Sequence, residues 1–211
     1  MIVMKLYYFE TLNPRKACAV ARYLGSPVEF VRIDLGKGEN RTPEFLAINP
    51  NGKVPALTDG GKRLWEADAI MAHLAKAERS DLLPNDERQI EVMRWLSWNA
   101  QHFTRHAGML YFQHIIKPGF FDTAPDAKEV EEATGFFRQF ARVLNDHLRG
   151  RKYLVGDALT IADFAVGVTL PYAEKIKLPL ASFPEIERWH ARLNELPAWR
   201  QPFPAARAAA A

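Results

Sequence analysis

The stretch NPNGKVPAL, residues 49–57, decides how the first part of this chain folds. It opens as a loop and then becomes KVPAL, an apolar run with the composition of a β-strand. Pro55 lies within that run, and a proline has no N–H to donate to a neighbouring strand. We therefore expect Pro55 at a sheet edge, in a turn, or in a position that serves a special purpose.

Two strands and a helix are predicted upstream of this stretch. Residues 1–10, MIVMKLYYFE, are apolar on both faces, which is typical of a buried central strand. Residues 11–25 predict a helix, with Asn13 as its N-cap and Gly25 at its end. PVEFVRIDL, residues 27–35, alternates as a second strand does. This order predicts a right-handed crossover and a parallel pair.

A hairpin and a second helix are predicted downstream. Asp59, Gly60 and Gly61 separate KVPALTD from KRLWE, and such a run is a hairpin signal. Residues 66–78, EADAIMAHLAKAE, then follow a helical period. The order βαβ followed by ββα predicts a compact α/β domain with a mixed four-stranded sheet over residues 1–79.

The rest of the chain shows helical patterns and no strand pattern. A polar linker is predicted at residues 80–86. Residues 87–116 predict a long helix that Pro118 stops, and residues 126–149 predict another. We expect an all-helical domain over residues 87–211.

Two further helix starts are predicted from capping-box spacing. Thr160 stands three residues before Asp163, and Ser182 stands three residues before Glu185. Asp163 is therefore interpreted as a structural cap and not as a catalytic acid.

The composition limits the classes of partner. The net charge is +3, but acidic and basic residues are interspersed, so we expect no nucleic-acid binding. The apolar runs are too short to span a membrane. The single cysteine, Cys18, excludes an intramolecular disulfide framework and suits a reducing, cytoplasmic environment. Its place inside the first predicted helix favours a packing role for the thiol.

Four motifs occur in a definite order: TLNPRK after the first strand, then PEFLAINPNGKVPAL, LWEADAI and GDALTIADF. Together they resemble the glutathione S-transferase superfamily over most of the chain. The resemblance implies a thioredoxin-like α/β domain followed by an all-helical domain. It also implies a cytoplasmic homodimeric enzyme with glutathione as co-substrate, which conjugates the thiolate to a hydrophobic electrophile or reduces disulfides or peroxides.

The resemblance gives Pro55 a purpose. It implies a cis bond between Val54 and Pro55, which exposes the main chain of Val54 to the cysteinyl backbone of glutathione. An ordinary trans proline at a sheet edge is the alternative.

The resemblance also implies contacts with the two ends of glutathione. Glu66 and the N–H of Ala67 are expected to hold the γ-glutamyl end at a helix N-terminus. Ala67 departs from the family pattern, which has Ser or Thr there, so a hydroxyl bond is lost. Asn40 and Lys53 are expected near the glycyl carboxylate, although Lys53 is also typical of a solvated turn lysine.

The catalytic step requires thiolate, since a free thiol titrates near ~8.5. The resemblance assigns its stabilisation to the Thr11 hydroxyl and the Asn13 amide, a pairing most similar to the bacterial nu class. The alternative is a loop threonine beside a helix-capping asparagine. Tyr7 and Tyr8 are runner-up candidates, because tyrosine-type relatives use a hydroxyl at the end of the first strand.

A pocket for the second substrate is expected on the long helix. Phe103, His106, Leu110 and Tyr111 recur there at helical spacing, although such an aromatic stripe is also typical of a core. His102 and His106 lack a third ligand on that face, so we expect no metal.

A non-catalytic member of the family that binds apolar ligands or a protein partner is the alternative function, and Ala67 favours it.

Overall fold

The structure, a computed structural model, describes residues 4–205, and within them the chain forms two compact units. The first comprises the residues up to Glu78 together with the segment from Glu195 onward. The second spans Arg79–Asn194. The α/β and all-helical characters expected for the two parts of the chain are both found.

The first unit is built on a mixed sheet of four strands, as predicted. The order across the sheet is β2-β1-β3-β4. β1 runs parallel to β2 and antiparallel to β3, and β3 runs antiparallel to β4. The strands are β1 (Met4–Tyr8), β2 (Val28–Arg32), β3 (Ala56–Asp59) and β4 (Lys62–Trp65).

Three helices belong to the first part of this unit, and a short 3-10 turn spans Glu39–Arg41. α1 ends at Gly25, whose φ of 63° is left-handed and favours glycine, as expected. The helices are α1 (Leu12–Leu24), α2 (Pro43–Leu46) and α3 (Ala67–Ala77).

The start of α1 differs from the expectation. Thr11, and not Asn13, is the N-cap, so Asn13 lies inside the first turn. Pro14 is accommodated in that turn because the N–H groups at a helix start have no helical partner. The prediction placed Pro14 at the first helical position, and this moved the expected N-cap two residues too far along the chain.

The second unit is helical throughout its regular structure. Two π-helical segments, Asn99–Phe103 and Phe112–Ile116, join its first three helices into one long run. Two 3-10 segments lie at Gly167–Tyr172 and Leu180–Ser182. No helix among residues 4–205 is long and apolar enough to cross a membrane. The helices are α4 (Arg88–Trp98), α5 (Thr104–Tyr111), α6 (Lys117–Phe121), α7 (Ala127–Leu148), α8 (Ile161–Val166) and α9 (Pro184–Leu193).

The long helical run passes Pro118, where the sequence predicts its end. Pro118 lies in the first turn of α6, directly after a π-helical segment, and at such a position the missing N–H breaks no required bond. The run ends instead at Asp122, which has a φ of 47°.

The C-terminal segment of the chain packs on α1. It contains a short helix, α10 (Pro197–Arg200). Nη2 of Arg15 donates to the carbonyl oxygen of Trp199 at 2.5 Å, and the guanidinium lies 5.4 Å from the centre of the Trp199 ring. Phe203 stacks on Tyr8 with ring centroids 5.8 Å apart. Hydrogen bonding and aromatic packing therefore hold this segment in the first unit.

This placement corrects the C-terminal end of the predicted helical domain, residues 87–211. The segment AWRQPFPA has no hydrophobic period, so its sequence does not indicate which unit it joins. Its partners are distant in sequence, since Arg15 and Trp199 are 184 residues apart. Arg22 likewise donates to the carbonyl of Phe203 at 3.3 Å.

A buried carboxylate organises the second unit. Asp163 is fully buried and accepts hydrogen bonds from the main-chain N–H of Leu154 at 3.0 Å and of Thr160 at 2.9 Å. Nε1 of Trp189 donates to it at 3.0 Å. Burial raises the pKa of Asp163 to about 6, while these hydrogen bonds act in the opposite direction. The predicted capping box at the start of α8 is confirmed.

The second predicted capping box, Ser182 with Glu185, is not formed. Phe183 is the N-cap of α9 and provides no side-chain hydrogen bond. Oδ1 of Asn145 on α7 accepts the N–H of Glu185 at 2.9 Å instead. The Glu185 carboxylate is engaged by Arg188 at 2.7 Å, so it does not reach back to the helix start.

We predict that Asp163→Ala lowers the free energy of unfolding by at least ~3 kcal/mol, because each of three buried N–H donors left without an acceptor costs about 1–3 kcal/mol. Urea unfolding followed by circular dichroism measures the change. The control is Asp157→Ala, which removes an exposed carboxylate from the same loop and should change stability by less than ~0.5 kcal/mol. Equal effects of the two substitutions would contradict the role given to Asp163.

Candidate active site

The strand register brings three chain segments to one edge of the sheet. Tyr7 on β1 faces Ala56 on β3, and Ala56 faces Trp65 on β4. Because β1 and β4 both run toward this edge and β3 starts from it, the residues after Tyr8, before Ala56 and after Trp65 meet there. Neighbouring strands are about 4.8 Å apart, so the three segments lie within a small ligand's length of one another.

The loop before β3 is shaped by Asn49, which is only 2% exposed. Its Nδ2 donates to the carbonyl of Lys53 at 2.6 Å. Its Oδ1 accepts the N–H of Asn51 at 3.0 Å, as in an Asx-turn. Gly52 adopts a φ of 60°, which favours glycine. These bonds fix the turn that leads directly into Val54.

The bond between Val54 and Pro55 is cis, as the resemblance implied. The main-chain N–H and C=O of Val54 have no hydrogen-bond partner within residues 4–205. The side chain packs instead on the cluster formed by Ile33, Phe45 and Ala56. The side chain is thus anchored, and the main-chain donor and acceptor are available to a ligand.

The start of α1 supplies a second set of available polar groups. The side chain of Thr11 makes no capping bond, and its hydroxyl has no partner among the described residues. The main-chain carbonyl of Thr11 accepts the N–H of Arg15 at 3.0 Å, which closes the first turn. The side chain of Asn13 is exposed. A helix N-terminus carries partial positive charge, so a hydroxyl there is well placed to stabilise an anion.

The two tyrosines at the end of β1 are used in packing. The Tyr7 ring meets Phe45 edge-on with centroids 6.0 Å apart. Tyr8 is buried, stacks on Phe203 and meets Phe30 edge-on. Burial and the nearby Glu10 raise the pKa of the Tyr8 phenol. These contacts are typical of strand core, and the choice between Thr11 and the two tyrosines as the thiolate-stabilising group stays a prediction.

The N-terminus of α3 forms the third part of the edge. Glu66, its N-cap, has a φ of 69°, and its side chain makes no capping bond. Ala67 is 4% exposed and begins the helix. Nζ of Lys16 donates to Oδ1 of Asp68 at 2.6 Å, and the lysine side chain is buried. This ion pair joins α1 to the first turn of α3 and holds Asp68 in place.

Of the residues expected near the glycyl carboxylate of glutathione, Asn40 uses its side chain within the protein. Nδ2 of Asn40 donates to the carbonyl of Gly52 at 2.7 Å, so the Asn40 amide supports the loop. Arg41, which sequence reasoning missed, is exposed and lies against Gly52. A Cβ at Gly52 would lie 2.9 Å from Nη1 of Arg41. Lys53 is also exposed, so the loop presents two cations. In the sequence, the signal for Arg41 is its basic side chain directly after Asn40.

The residues predicted to line a second pocket are mostly core. Phe103 and Leu110 are essentially inaccessible, and Tyr111 is buried. Phe103 packs on Phe137 with ring centroids 5.2 Å apart. The burial of these three side chains is typical of a core stripe, and their role in a pocket for the second substrate stays a prediction.

His106 is the partly exposed member of that predicted set. Its ring stacks on Phe136 and Phe140 with centroids 4.6 and 5.6 Å away. Burial lowers the pKa of His106, which favours the neutral ring. His102 stacks on Phe140 in the same way. Within residues 4–205 no group of three potential metal-binding side chains is present.

Cys18 lies in the interior of α1. It is fully buried, and burial raises the pKa of its thiol. A buried neutral thiol is a poor nucleophile, which confirms the packing interpretation.

Comparison with known proteins identifies two matching family profiles. The profile described as "Glutathione S-transferase, N-terminal domain" matches residues 3–76. The profile described as "Glutathione S-transferase, C-terminal domain" matches residues 103–197. The two matches follow the order of the α/β and helical parts of the chain.

The chain is similar to plant proteins along almost its whole length. "Probable glutathione S-transferase GSTF2" of Oryza sativa subsp. japonica is 33% identical over 203 residues, covering 93% of this chain and 94% of the relative. "Glutathione S-transferase 3" of Zea mays is 33% identical over 210 residues, covering 95% and 93%. The similarity to the bacterial nu class inferred from Thr11 and Asn13 stays a prediction.

A solved structure is similar in fold as well as in sequence. It is glutathione S-transferase I from maize in complex with an atrazine glutathione conjugate. Its TM-score is 0.86 at 30% identity, and the alignment covers 95% of this chain and 96% of that one.

Proposed function

The chain belongs to the glutathione S-transferase family, and we propose that it joins the sulfur of glutathione to a hydrophobic electrophile. One observation carries this proposal: the partner-free Thr11 hydroxyl lies at the same sheet edge as the unpaired main chain of Val54. In the reaction, the thiol proton passes to solvent and the thiolate forms a bond to an electrophilic carbon. The displaced group leaves with the electron pair of the bond that breaks.

Thiolate stabilisation is the part of this chemistry that the protein must provide. Lowering the thiol pKa by about two units requires roughly 2.7 kcal/mol of selective stabilisation of the anion. A hydrogen bond to a charged group contributes about 1.5–3 kcal/mol, so one hydroxyl and the α1 N-terminus together are sufficient. We assign the hydroxyl to Thr11, and Asn13 adds an exposed amide in the same turn.

Three contacts would hold the rest of glutathione. The N–H and C=O of Val54 pair with the cysteinyl backbone, as when a strand is added to a sheet. The N-terminus of α3, at Glu66 and Ala67, receives the γ-glutamyl carboxylate. Arg41 and Lys53 attract the glycyl carboxylate, and the guanidinium is suited to a bidentate contact.

The non-catalytic alternative rests on Ala67 alone. The missing hydroxyl weakens the hold on the γ-glutamyl end but leaves the helix N-terminus and the Val54 main chain in place. Reduction of a disulfide or peroxide is compatible with the same thiolate. The protein's own cysteine is buried and takes no part in it.

We further propose a cytoplasmic homodimer. Large apolar side chains are exposed on α4 and α7, and the two helices lie side by side, since Trp98 meets Phe140 edge-on at 6.3 Å. An apolar face of this kind on a monomer favours association. The exposed residues are Ile90, Met93, Phe136 and Val143.

Removing the Thr11 hydroxyl should raise the pKa of bound glutathione thiol. Thr11→Val keeps the shape of the side chain, and the lost hydrogen bond to the thiolate corresponds to an increase of about 1–2 units. Thiolate absorbance measured against pH reports the shift. Thr11→Ser, which retains a hydroxyl, is the control and should titrate as the wild type does. Asn13→Ala should raise the pKa by a smaller amount.

An unchanged titration in Thr11→Val would contradict the assignment and transfer the role to a tyrosine. Tyr7→Phe and Tyr8→Phe identify which one. If calorimetry detects no binding of glutathione or glutathione disulfide at millimolar concentration, the enzymatic proposal itself is wrong.

Restoring a hydroxyl at position 67 should strengthen glutathione binding. Ala67→Ser adds a donor at the start of α3, and a bond to the γ-glutamyl carboxylate corresponds to about a tenfold lower Kd. Calorimetric titration measures the change. Ala77→Ser, at the exposed opposite end of the same helix, is the matched control and should leave Kd unchanged. Equal Kd values for Ala67→Ser and the wild type would show that the carboxylate binds elsewhere.

Placing a charge in the apolar face should dissociate the dimer. We expect the wild type to sediment as a dimer and Val143→Glu as a monomer, because an unpaired carboxylate resists burial in an apolar interface. Sedimentation velocity distinguishes the two masses. Phe121→Glu, at an exposed apolar residue of α6, is the control and should remain dimeric. A monomeric wild type, or a dimeric Val143→Glu, would contradict the proposal.

A further inference from the structure

A polar cavity lies in the helical unit, away from the residues assigned to the proposed reaction. Its volume is about 490 Å³. It lies between the C-terminal half of α7 and the chain that enters α9. The lining residues are Arg138, Arg142, Asn145, Asp146, Ser182 and Phe183.

Two arginines provide its charge. Arg138 and Arg142 are four residues apart on α7, so their side chains project from the same face of the helix. Both are exposed, and neither guanidinium makes an ion pair or hydrogen bond within residues 4–205. Two other arginines near this end of α7 are paired, Arg149 with Asp146 and Arg188 with Glu185.

Asn145 adds an oriented donor. Its Oδ1 accepts the main-chain N–H of Glu185 at 2.9 Å and of Ile186 at 3.4 Å. These donors fix the amide orientation, so the NH₂ group is left to donate. Neither that NH₂ group nor the hydroxyl of Ser182 has a partner in the part of the chain that the structure describes. The polar part of the cavity wall therefore contains two guanidinium groups, one amide donor, one hydroxyl and the Asp146 carboxylate.

Asp146 in the cavity wall and Glu185 beside the cavity are each paired with a further arginine. Oδ1 of Asp146 is engaged by Nη2 of Arg149 at 2.8 Å. The Glu185 carboxylate is engaged by Arg188 at 2.7 Å. The cavity thus has an excess of donors and of positive charge, and a ligand that fits it must bring acceptors and negative charge.

We propose that this cavity binds the phosphate group of a small molecule. A phosphate dianion matches the charge of two guanidinium groups and offers three acceptor oxygens, more than one carboxylate can offer to these donors. Two neighbouring guanidinium forks are suited to bidentate phosphate contacts. Phe183 also lines the cavity, and its small exposed part is the apolar surface that an organic substituent of a phosphomonoester would meet.

Titration at low ionic strength tests this site, because salt screens contacts with exposed charges. Inorganic phosphate and phenyl phosphate are titrated separately into the full-length protein at pH 8, with binding followed by calorimetry and by phosphorus NMR. We expect saturable binding of one phosphate per chain. Tighter binding of phenyl phosphate identifies a phosphomonoester as the ligand class, and equal binding identifies free phosphate.

Paired substitutions distinguish phosphate binding in this cavity from general electrostatic attraction between phosphate and the protein. Arg138→Gln with Arg142→Gln should weaken phosphate binding by about tenfold or more, since two charge-assisted contacts are lost. Lys128→Gln with Lys152→Gln removes the same charge from exposed positions outside the cavity and should change Kd by less than about twofold. Equal weakening by the two pairs, or no saturable binding by the wild type, would overturn the proposal. The glutathione titration of the arginine pair should be unchanged.

Discussion

The pairing of β1 with β3, and of β3 with β4, is the constraint on which the candidate active site depends. The aligned residues Tyr7, Ala56 and Trp65 determine which loop residues lie at the sheet edge that carries the candidate active site. A shift of one residue in either pairing would turn every side chain of the moved strand to the opposite face. It would also separate Thr11 from the main chain of Val54. The proposed chemistry therefore requires the correct strand register in addition to the correct side chains.

Two buried polar side chains differ from the polar groups at the sheet edge in whether they have hydrogen-bond partners. Asn49 and Asp163 are both buried. Asn49 donates to the carbonyl of Lys53 and accepts the N–H of Asn51, whereas Asp163 acts only as an acceptor, including for main-chain N–H groups. The groups at the sheet edge, the Thr11 hydroxyl and the Val54 main chain, have no partner among residues 4–205. Buried polar groups left unpaired are costly, so available donors belong where a ligand can reach them.

Much of the first unit was predictable because its signals are local. The Asp59-Gly60-Gly61 turn fixed the hairpin, and the motif around Pro55 indicated the cis bond through resemblance. The placement of the segment that contains Trp199 was not predictable, because its partners on α1 lie far away in sequence. The role of Arg41 was missed for a related reason, since only the folded turn brings Gly52 against it.

The helical unit shows the limit of periodicity as a guide to function. Phe103 and Leu110 recur at a helical spacing that fits both a hydrophobic core and a ligand pocket. Which of these environments the side chains occupy depends on the packing of neighbouring helices. Pro118 and Asn13 show a related limit at helix ends, where the tolerance of the first turn for proline moves the boundary by several residues.

A crystal structure of the protein with bound glutathione tests the central claim most directly. The account predicts the sulfur within hydrogen-bond distance of the Thr11 hydroxyl and the cysteinyl main chain paired with Val54. A sulfur placed against the hydroxyl of Tyr7 or Tyr8, or glutathione bound away from this sheet edge, would contradict it.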